Sequence, residues 1–291
     1  MTTRTPSDVV VRRAKPEDGL VCGSICYNAF STISTEHGFP CDLPSAEAAV
    51  GFLTMMFSSP DFFSVVAEVG GRVVGSNVLD ERSVIRGVGP ITIDPSVQNL
   101  GVGRKLMEAV MNRARESNSP GVRLVQAAFH NRSLSLYTSL GFDIREPLSC
   151  VQGAVRDRRI SGCSVRAAQL DDVAACNELS RRVHGFERGV ELAQGMSGGA
   201  ALVVEREGRI SGYCSHLGFF GHTTAETNID VQALIASAES LAGPGILVPS
   251  RNCALLRWCL AEGLRVVQPM TLMSIGLYND PSGAWLPSVS F

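Results

Sequence analysis

The sequence has no strong excess of charge of either sign. Its 291 residues include 26 Lys and Arg against 28 Asp and Glu, a formal net charge of −2. A balance of this kind supplies no bulk electric field, so we expect neither nucleic acid nor a membrane surface as a partner. An anionic ligand would have to be held by a local group of residues. A hydrophobic content of 45% and a mean hydropathy of +0.13 exclude a disordered chain.

The sequence also lacks a long apolar run and a paired cysteine motif. No run reaches the roughly 18–20 apolar residues that cross a bilayer, and the polar segment 1–13 does not resemble a signal peptide. The nine cysteines are an odd number without a CxxC pair. This pattern is typical of free thiols in a reducing compartment, and Cys22 and Cys26, four residues apart on a predicted helix, are expected to be buried. We therefore predict a cytoplasmic protein without a metal site.

The length predicts two domains, since single cores seldom grow beyond about 250 residues. In the first half the apolar periodicity and the turn residues predict the order β-α-α-β-β-β-α-β-α-β, with a hairpin at Gly70-Gly71 and an amphipathic helix over 100–117. This order is a mixed α/β fold with an antiparallel meander rather than an alternating βαβ fold.

The second half repeats the first in a collinear but shortened form. The matching segments are 11–18 with 165–172, 66–75 with 203–212, and 130–141 with 252–263. The second copy has lost residues in two places, one of which is the stretch where the first copy has a glycine-rich loop. We predict domains at 1–156 and 162–291, divided at a charged segment near 156–161.

The glycine-rich loop is the sharpest chemical signal in the chain. Segment 91–105 places a strand, a turn, two glycines and a helix in immediate succession. Gly101 and Gly103 allow backbone N–H groups to approach an anion closely, and the helix dipole adds positive potential there. Arg104 and Lys105 place two cations in the first helical turn, where the dipole alone would disfavour them. That conflict favours a diphosphate ligand.

Two common phosphate-binding motifs do not fit this loop. A Walker loop requires Gly-Lys-Ser/Thr, and a dinucleotide fingerprint requires a third glycine where Met107 stands. The hexapeptide Gln-Asn-Leu-Gly-Val-Gly at 98–103 instead resembles the acetyl-CoA loop of the GNAT superfamily of N-acetyltransferases, [RQ]-x-x-G-x-[GA]. Downstream, Leu-Tyr-Thr-Ser-Leu-Gly-Phe at 136–142 resembles the second cofactor motif of that superfamily, L-Y-x-x-x-G-F. The resemblance covers residues 9–155, and the element order agrees with it.

The resemblance implies two tandem GNAT-like domains, each a mostly antiparallel twisted sheet whose fourth and fifth strands splay apart. The pantetheine arm would pair with the backbone of Ile91, Thr92 and Ile93, and the Ile93 amide would polarise the thioester carbonyl and stabilise its oxyanion. Tyr137 would protonate the departing thiolate, since its reference pKa near 10 exceeds the roughly 8.5 of a thiol. The residues implied to bind the diphosphate are Gln98, Asn99, Leu100, Gly101, Val102, Gly103 and Arg104.

One position departs from the superfamily pattern. The superfamily usually has Asn seven residues before the tyrosine, where His130 stands in this sequence, and Asn131 follows. Four interpretations stay open: His130 replaces the contact to CoA, Asn131 makes it after a shift of the turn, His130 carries a proton, or His130 is an exposed bystander.

An amine acceptor must lose a proton before it attacks. For a lysine-like amine this costs roughly 4–5 kcal/mol at pH 7, so a base or a water chain is needed. The candidate acceptor-side residues are Asp80 and Glu81, at the end of the third strand, and His37, which follows Glu36 in the predicted loop over 31–44.

The second copy lacks the features that would hold CoA. It has no Gly-x-Gly before its predicted helix at 228–241, and Cys259 stands where Tyr137 stands in the first copy. We therefore predict a degenerate repeat that packs against the first copy and walls the acceptor cleft. The aromatic tail at 276–291 resembles the closing segment of tandem GNAT proteins, and we expect it either to pack on the second core or to reach the cleft.

These observations predict an acetyl-CoA-dependent N-acetyltransferase that acts on a small-molecule amine by direct attack in a ternary complex. Acetyl-CoA would be the co-substrate, with no metal, and the protein would be a monomer or a homodimer. The alternative is a non-catalytic module that senses acyl-CoA. Protein acetylation is less favoured, because the sequence has no basic patch or interaction tail.

Overall fold

A computed structural model describes residues 9–97, 100–154 and 159–290. The first half contains β1 (Val9–Arg13), α1 (Gly19–His37), α2 (Ala46–Ser58), β2 (Phe62–Val69), β3 (Arg72–Asp80), β4 (Ile85–Val88), β5 (Thr92–Ile93), α3 (Val102–Glu116), β6 (Gly121–Ala127), α4 (Asn131–Ser139) and β7 (Asp143–Gln152). The predicted mixed α/β order is confirmed, with the third strand of the meander broken into β4 and β5. Part of the predicted boundary, residues 156–158, lies outside the described residues.

The second half has the same order followed by one more strand. Its elements are β8 (Ser164–Ala167), α5 (Val173–His184), α6 (Gly189–Ser197), β9 (Leu202–Arg206), β10 (Arg209–Cys214), β11 (Thr223–Ala225), α7 (Asn228–Ala236), β12 (Ile246–Pro249), α8 (Cys253–Ala261), β13 (Arg265–Gly276) and β14 (Ala284–Leu286).

Corresponding ion pairs support the internal repeat. Arg12 lies 2.7 Å from Asp18 and 2.8 Å from Glu68, and so joins the first strand to the first helical turn and to β2. In the second half Arg166 lies 2.7 Å from Asp172 and 2.7 Å from Glu205. In both halves, therefore, one arginine is paired with two carboxylates at the same place in the fold.

The two halves exchange strands within one sheet. Over the described residues its order is β1-β2-β3-β4-β6-β13-β7-β12, with β5 paired to β3. Strand β13 of the second half pairs antiparallel with both β6 and β7, and β7 of the first half lies between β13 and β12. The halves therefore share backbone hydrogen bonds and not only a side-chain interface. The other sheet has the order β14-β11-β10-β9-β8.

A gap opens in the large sheet beside β6. Strand β4 pairs in parallel with β6 over residues 85–87 and 121–123. Leu79 lies opposite Val88 whereas Ser76 lies opposite Thr92, so one extra residue is inserted between β4 and β5. Such a β-bulge turns a strand aside. The bulge therefore keeps β5 against β3 while β6 continues towards β13, which leaves an opening between β5 and β6.

Helices cover both faces of the first-half sheet. Alternate residues of β2 divide between the faces: Val65 and Ala67 pack with α3, whereas Val66 packs with α1 and α2. Cys22 and Cys26 are fully buried on the inner face of α1, as predicted, and all nine cysteines are free. Across the described residues, no helix is both long enough and apolar enough to span a membrane.

Candidate active site

A cavity of about 780 Å³ passes through the gap in the sheet. Leu124 of β6 packs in the same hydrophobic cluster as Tyr137 and α3. The next residue along β6, Val125, packs on the opposite face with Phe219 and Met270. Because the cavity is lined by both Leu124 and Val125, it reaches both faces of the sheet. Two reactants can therefore approach the gap from opposite sides.

Most of the predicted site residues meet on this cavity. Those that line it are His37, Ile91, Thr92, Ile93, Gly101, Val102, Gly103, Arg104, His130, Asn131 and Tyr137. Leu100 is half-buried beside them and packs on the α3 cluster. Gln98 and Asn99 lie outside the described residues.

The N-terminus of α3 forms one mouth of the cavity. Gly101 precedes the helix with a φ of 80°, and no side chain caps the first helical amides. These amides have no partner within the helix, and they carry the positive end of its dipole. A Cβ built on Gly103 would lie 3.3 Å from the side chains of both Ile93 and Leu136, so the glycine keeps the helix close to the gap.

The two cations beside the glycines are placed differently. Arg104 lines the cavity and donates to the Ser139 hydroxyl at 2.8 Å. Lys105 donates to the Val9 carbonyl at 2.9 Å, on the side of the helix that faces β1. Arg104 therefore adds positive charge to this mouth, whereas Lys105 helps to fasten the first strand.

The broken strand presents its own amides to the gap. The Asp94 amide donates to the Val74 carbonyl at 2.8 Å, so it points towards β3. Successive amides of a strand alternate in direction, so those of Ile91 and Ile93 point away from β3 and into the opening. This is the edge on which an extended ligand can form strand-like hydrogen bonds.

Tyr137 is buried on the cavity wall at 6% exposure and belongs to a short hydrogen-bonded chain. Burial raises the pKa of Tyr137 to about 12, and its hydrogen bond with Ser133 opposes that shift. The Ser133 hydroxyl is in turn hydrogen-bonded to Nδ1 of His130. The phenol is therefore protonated at neutral pH and connected to an imidazole through one hydroxyl.

His130 is half-buried rather than fully exposed. Burial lowers its pKa, with further contributions from the nearby Arg132 and His37. Asn131 and Arg132 line the cavity next to it, at the start of α4. His130 and Asn131, the two residues at the position that departs from the superfamily pattern, therefore both lie at the site. Of the two, His130 is connected to Tyr137 through Ser133.

The opposite face of the gap carries a carboxylate that the sequence analysis did not identify. Asp42 lies in the loop between α1 and α2 and lines the cavity. Gln268 of β13 donates to Oδ1 of Asp42 at 3.4 Å. Burial raises the pKa of Asp42 to about 6.

The predicted acceptor-side residues do not come together. Asp80 is paired with Arg82, which also donates to Gln194 of α6 at 2.6 Å, so this pair lies between the two halves. Glu81 is held by Arg113 at 3.0 Å. His37 does line the cavity, where its ring lies 5.1 Å from that of Phe129. Asp80 and Glu81 are thus engaged in ion pairs and do not line the cavity.

Comparison with known proteins agrees with this geometry. Residues 60–144 match the family model described as an acetyltransferase (GNAT) domain, and this segment contains the broken strand, the glycine loop and Tyr137. The match to a GNAT acetyltransferase domain therefore lies within the first half of the chain. A search of curated proteins found no match.

Solved structures extend the likeness to the whole chain. A Pyrococcus horikoshii protein described as an acetyltransferase has a TM-score of 0.71 and 17% identity, covering 98% of this chain and 96% of its own. A GCN5-related N-acetyltransferase of Sphaerobacter thermophilus has a TM-score of 0.62 and 15% identity, covering 97% of this chain and 100% of its own. A tandem GNAT protein from the clavulanic acid biosynthesis pathway has a TM-score of 0.56 and 14% identity, covering 96% of this chain and 99% of its own. These likenesses show that the chain has the tandem GNAT fold.

The corresponding helix start in the second half is filled by the protein itself. Where the GNAT domain has Gly101, α7 is preceded by Thr227, whose hydroxyl donates to Asp230 at 2.6 Å. The fully buried Asp230 carboxylate also accepts hydrogen bonds from the Ser211 hydroxyl at 2.7 Å and from the Arg206 guanidinium at 2.9 Å. A carboxylate of the chain therefore lies at this helix start, where it accepts the Thr227 amide at 3.0 Å.

The tail closes the second sheet and also reaches the cavity of the GNAT domain. Strand β14 pairs antiparallel with β11 and lies beside β12, the place that corresponds to the gap between β5 and β6. Beyond it, the Val289 amide donates to the Phe219 carbonyl at 2.8 Å, and Val289 and Ser290 line the cavity. The tail therefore both packs on the second half and reaches the cavity.

Sequence reasoning missed Ser133 and Asp42 on the cavity wall, and Gln268, which donates to Asp42. Ser133 could have been found, because it lies on the same helical face as His130 and Tyr137. Asp42 lies in a loop without a motif, and Gln268 comes from the other half of the chain. Only the folded arrangement brings the last two to the GNAT domain.

Proposed function

We propose that the protein transfers the acetyl group of acetyl-CoA to the amine of a small molecule, by direct attack within a ternary complex. The observation that carries this proposal is the cavity through the sheet. One mouth has an uncapped helix N-terminus and a buried protonated tyrosine, and the other has a carboxylate. Such an arrangement can hold a donor and an acceptor on either side of one opening.

The residues of the first mouth fit a CoA thioester. The first amides of α3 and the Arg104 side chain would hold the diphosphate, as a helix N-terminus does for other phosphates. The inward-pointing amides of Ile91 and Ile93 would pair with the pantetheine arm, and that of Ile93 would donate to the acyl oxygen. When bound, acetyl-CoA supplies an activated acyl group.

Tyr137 would hold the proton that the leaving thiolate needs. With a pKa of about 12, the phenol keeps its proton at any physiological pH. Ser133 and His130 would orient the hydroxyl and connect it to the cavity mouth, from which the proton can be replaced.

A covalent acyl-cysteine is not part of this proposal. Cys26 lines the cavity, but burial raises the pKa of its thiol to about 12. A thiol that stays protonated is a poor nucleophile. Direct attack by the amine therefore agrees better with the site.

We infer that the second half has a structural role and does not bind CoA. Asp230 stands where a phosphate would be held, and β14 fills the place that corresponds to the pantetheine gap. The second half instead supplies Phe219 and Val289 to the wall of the first cavity, and its Gln268 donates to Asp42.

The experiment is an amine-library screen that measures free CoA, combined with calorimetry of CoA and acetyl-CoA binding. We expect binding of both, and CoA release with at least one amine. Gly103→Val should weaken CoA binding by about tenfold or more, because a branched side chain would meet Ile93 and Leu136.

Circular dichroism of the Gly103→Val variant checks that its fold is retained. Binding without CoA release from any amine would favour an acyl-CoA sensor. Absence of binding at millimolar concentration would overturn the proposal.

A further inference from the structure

We propose that Asp42 is the acceptor-binding residue of this site, and that the acceptor is a hydrophobic amine that enters as an ammonium ion. This inference rests on the proposed function and names the class of its substrate. The amine would approach from the face of the sheet opposite to Tyr137.

The position of Asp42 follows from contacts on two sides of its loop. Phe39, in the same loop, stacks on Phe129 just beyond β6, with ring centroids 4.4 Å apart. Gln268 holds the carboxylate from β13. Gln268 and Met270 are two residues apart on that strand and so share a face. Met270 belongs to the cluster opposite to that of Tyr137. Asp42 therefore faces the gap from the acceptor side.

The charge of Asp42 is poorly compensated by the protein. Within the described residues its one hydrogen bond is the 3.4 Å contact from the neutral Gln268 amide, and no Arg, Lys or His forms an ion pair with it. Burying a carboxylate without a counter-ion is costly. Burial raises the pKa of Asp42 to about 6, so the carboxylate is still ionised at neutral pH. A cation that enters the cavity would supply the missing partner.

The other residues that line the cavity indicate which chemical class of acceptor fits beside Asp42. Phe30, Phe52, Phe220 and Met270 line the cavity and offer aromatic and thioether surface to an apolar body. Glu36 also lines it and adds negative charge. An acceptor with a carboxylate next to its amine would be repelled by Asp42 and Glu36. The site therefore favours an arylalkyl or alkyl amine over an amino acid.

The same carboxylate can take the proton that the attack requires. The ammonium ion gives one proton to Asp42, and the neutral nitrogen then forms a bond to the acyl carbon of acetyl-CoA. As the carbon–sulfur bond breaks, the nitrogen loses its second proton to solvent. The thiolate takes the Tyr137 proton, and Tyr137 regains one from water through Ser133 and His130. Asp42 then returns its proton to solvent. The products are the amide and CoA thiol, with one proton released.

The test compares Asp42→Asn with Asp143→Asn, a matched change at an exposed aspartate on β7. Calorimetry measures 2-phenylethylamine binding to the full chain saturated with CoA. We expect the affinity to fall at least about thirtyfold in Asp42→Asn and to stay unchanged in Asp143→Asn, as for the loss of one buried charge partner. Phenylalanine, the matched amine with an added carboxylate, should bind wild type at least about tenfold more weakly.

The pH dependence of 2-phenylethylamine binding gives a second readout. The other titratable or charged groups that line the cavity are Cys26, Glu36, His37, Arg104, His130, Arg132 and Tyr137. We expect binding to strengthen as the pH rises through about 6, and Asp42→Asn to abolish that rise. His130→Asn should retain it, which separates the carboxylate from the imidazole.

The results separate two failures. If CoA does not bind to wild type, the proposed function is wrong. If CoA binds but 2-phenylethylamine does not, or Asp42→Asn binds the amine as wild type does, the acceptor assignment is overturned while the proposed function stands.

Discussion

Tyr137 shows how burial suits a residue to an acid role. A fully buried phenol holds its proton more tightly than one in water, because the phenolate loses its hydration. Its pKa of about 12 leaves a wide margin above physiological pH, and Ser133 is the group that orients it. Burial also means that a substitution must conserve volume if it is to test the hydroxyl alone.

Tyr137→Phe makes that test. We expect kcat to fall about a hundredfold or more, in the range of general acid catalysis, while the Kd for CoA stays within a factor of two to three. The measurement is steady-state CoA release together with calorimetry. Unchanged turnover at all pH values would remove Tyr137 from the acid role. In wild type we expect no loss of kcat from ionisation of Tyr137 below about pH 10.

Asp42 is also expected to lower the stability of the folded protein. Its folded pKa of about 6 exceeds the ordinary value of 3.8, so the native state binds more protons than the unfolded state between these values. The free energy of unfolding therefore falls as pH rises from about 4 to 6, and then stays level.

Asp42→Asn should remove this dependence. We expect it to be more stable than wild type by about 2 kcal/mol at pH 8 and equal to it near pH 4. Urea unfolding at the two pH values checks this, with Asp143→Asn as the control that shows no such difference. Equal stability of Asp42→Asn and wild type at pH 8 would show that the carboxylate is not desolvated.

Residues of the donor side were predictable, and those of the acceptor side were not. Gly101, Gly103 and Tyr137 fall within two short motifs, because in the proposed function one loop and one helix would each bind their part of the donor locally. The proposed acceptor side combines the loop between α1 and α2 with β13, which are more than two hundred residues apart. No local pattern records such a contact.

At the scale of elements, α3 and α7 show two ways to satisfy the start of a helix. In α7 the side chains of Thr227 and Asp230 form a capping box, in which the Asp230 carboxylate accepts the Thr227 amide at 3.0 Å. In α3 a glycine leads into the helix without a side-chain cap, so the amides stay available to a ligand. The same secondary structure is thus a closed end in one half and an open site in the other.

Gly101→Ala tests the backbone requirement at α3. A Cβ there meets no atom within 4 Å, so the cost comes from the left-handed conformation at a φ of 80°. We expect a loss of about 1–2 kcal/mol in the free energy of unfolding. Gly51→Ala, in the exposed middle of α2, should instead stabilise by about 0.5–1 kcal/mol. Urea unfolding measures both, and a neutral Gly101→Ala would contradict the assigned turn.

At the scale of the whole molecule, strand exchange makes the halves interdependent. Strand β13 completes the sheet between β6 and β7, and β7 in turn lies between β13 and β12. Removing either half would expose long unpaired edges, which are prone to aggregate. The first half therefore depends on the second half for its sheet as well as for its cavity wall.

Expression of residues 1–156 and 162–291 as separate chains tests this dependence. We expect each fragment alone to be largely unfolded or aggregated, and the co-expressed pair to assemble into one soluble 1:1 complex that binds CoA. Circular dichroism, size-exclusion chromatography and calorimetry measure these outcomes. A folded 1–156 fragment that binds CoA as the full chain does would show that β13 is dispensable.

The sequence by itself determined the element order, the internal repeat and the glycine-led start of α3, because each depends on residues close together in the chain. It indicated that the second copy lacks a glycine loop, and Asp230 and β14 show what stands in its place. Tertiary structure alone decided the exchange of β7 and β13 and the position of Asp42 in the gap. Strand partners and cavity walls depend on how distant surfaces pack, and neither leaves a period or a motif in the residues that form them.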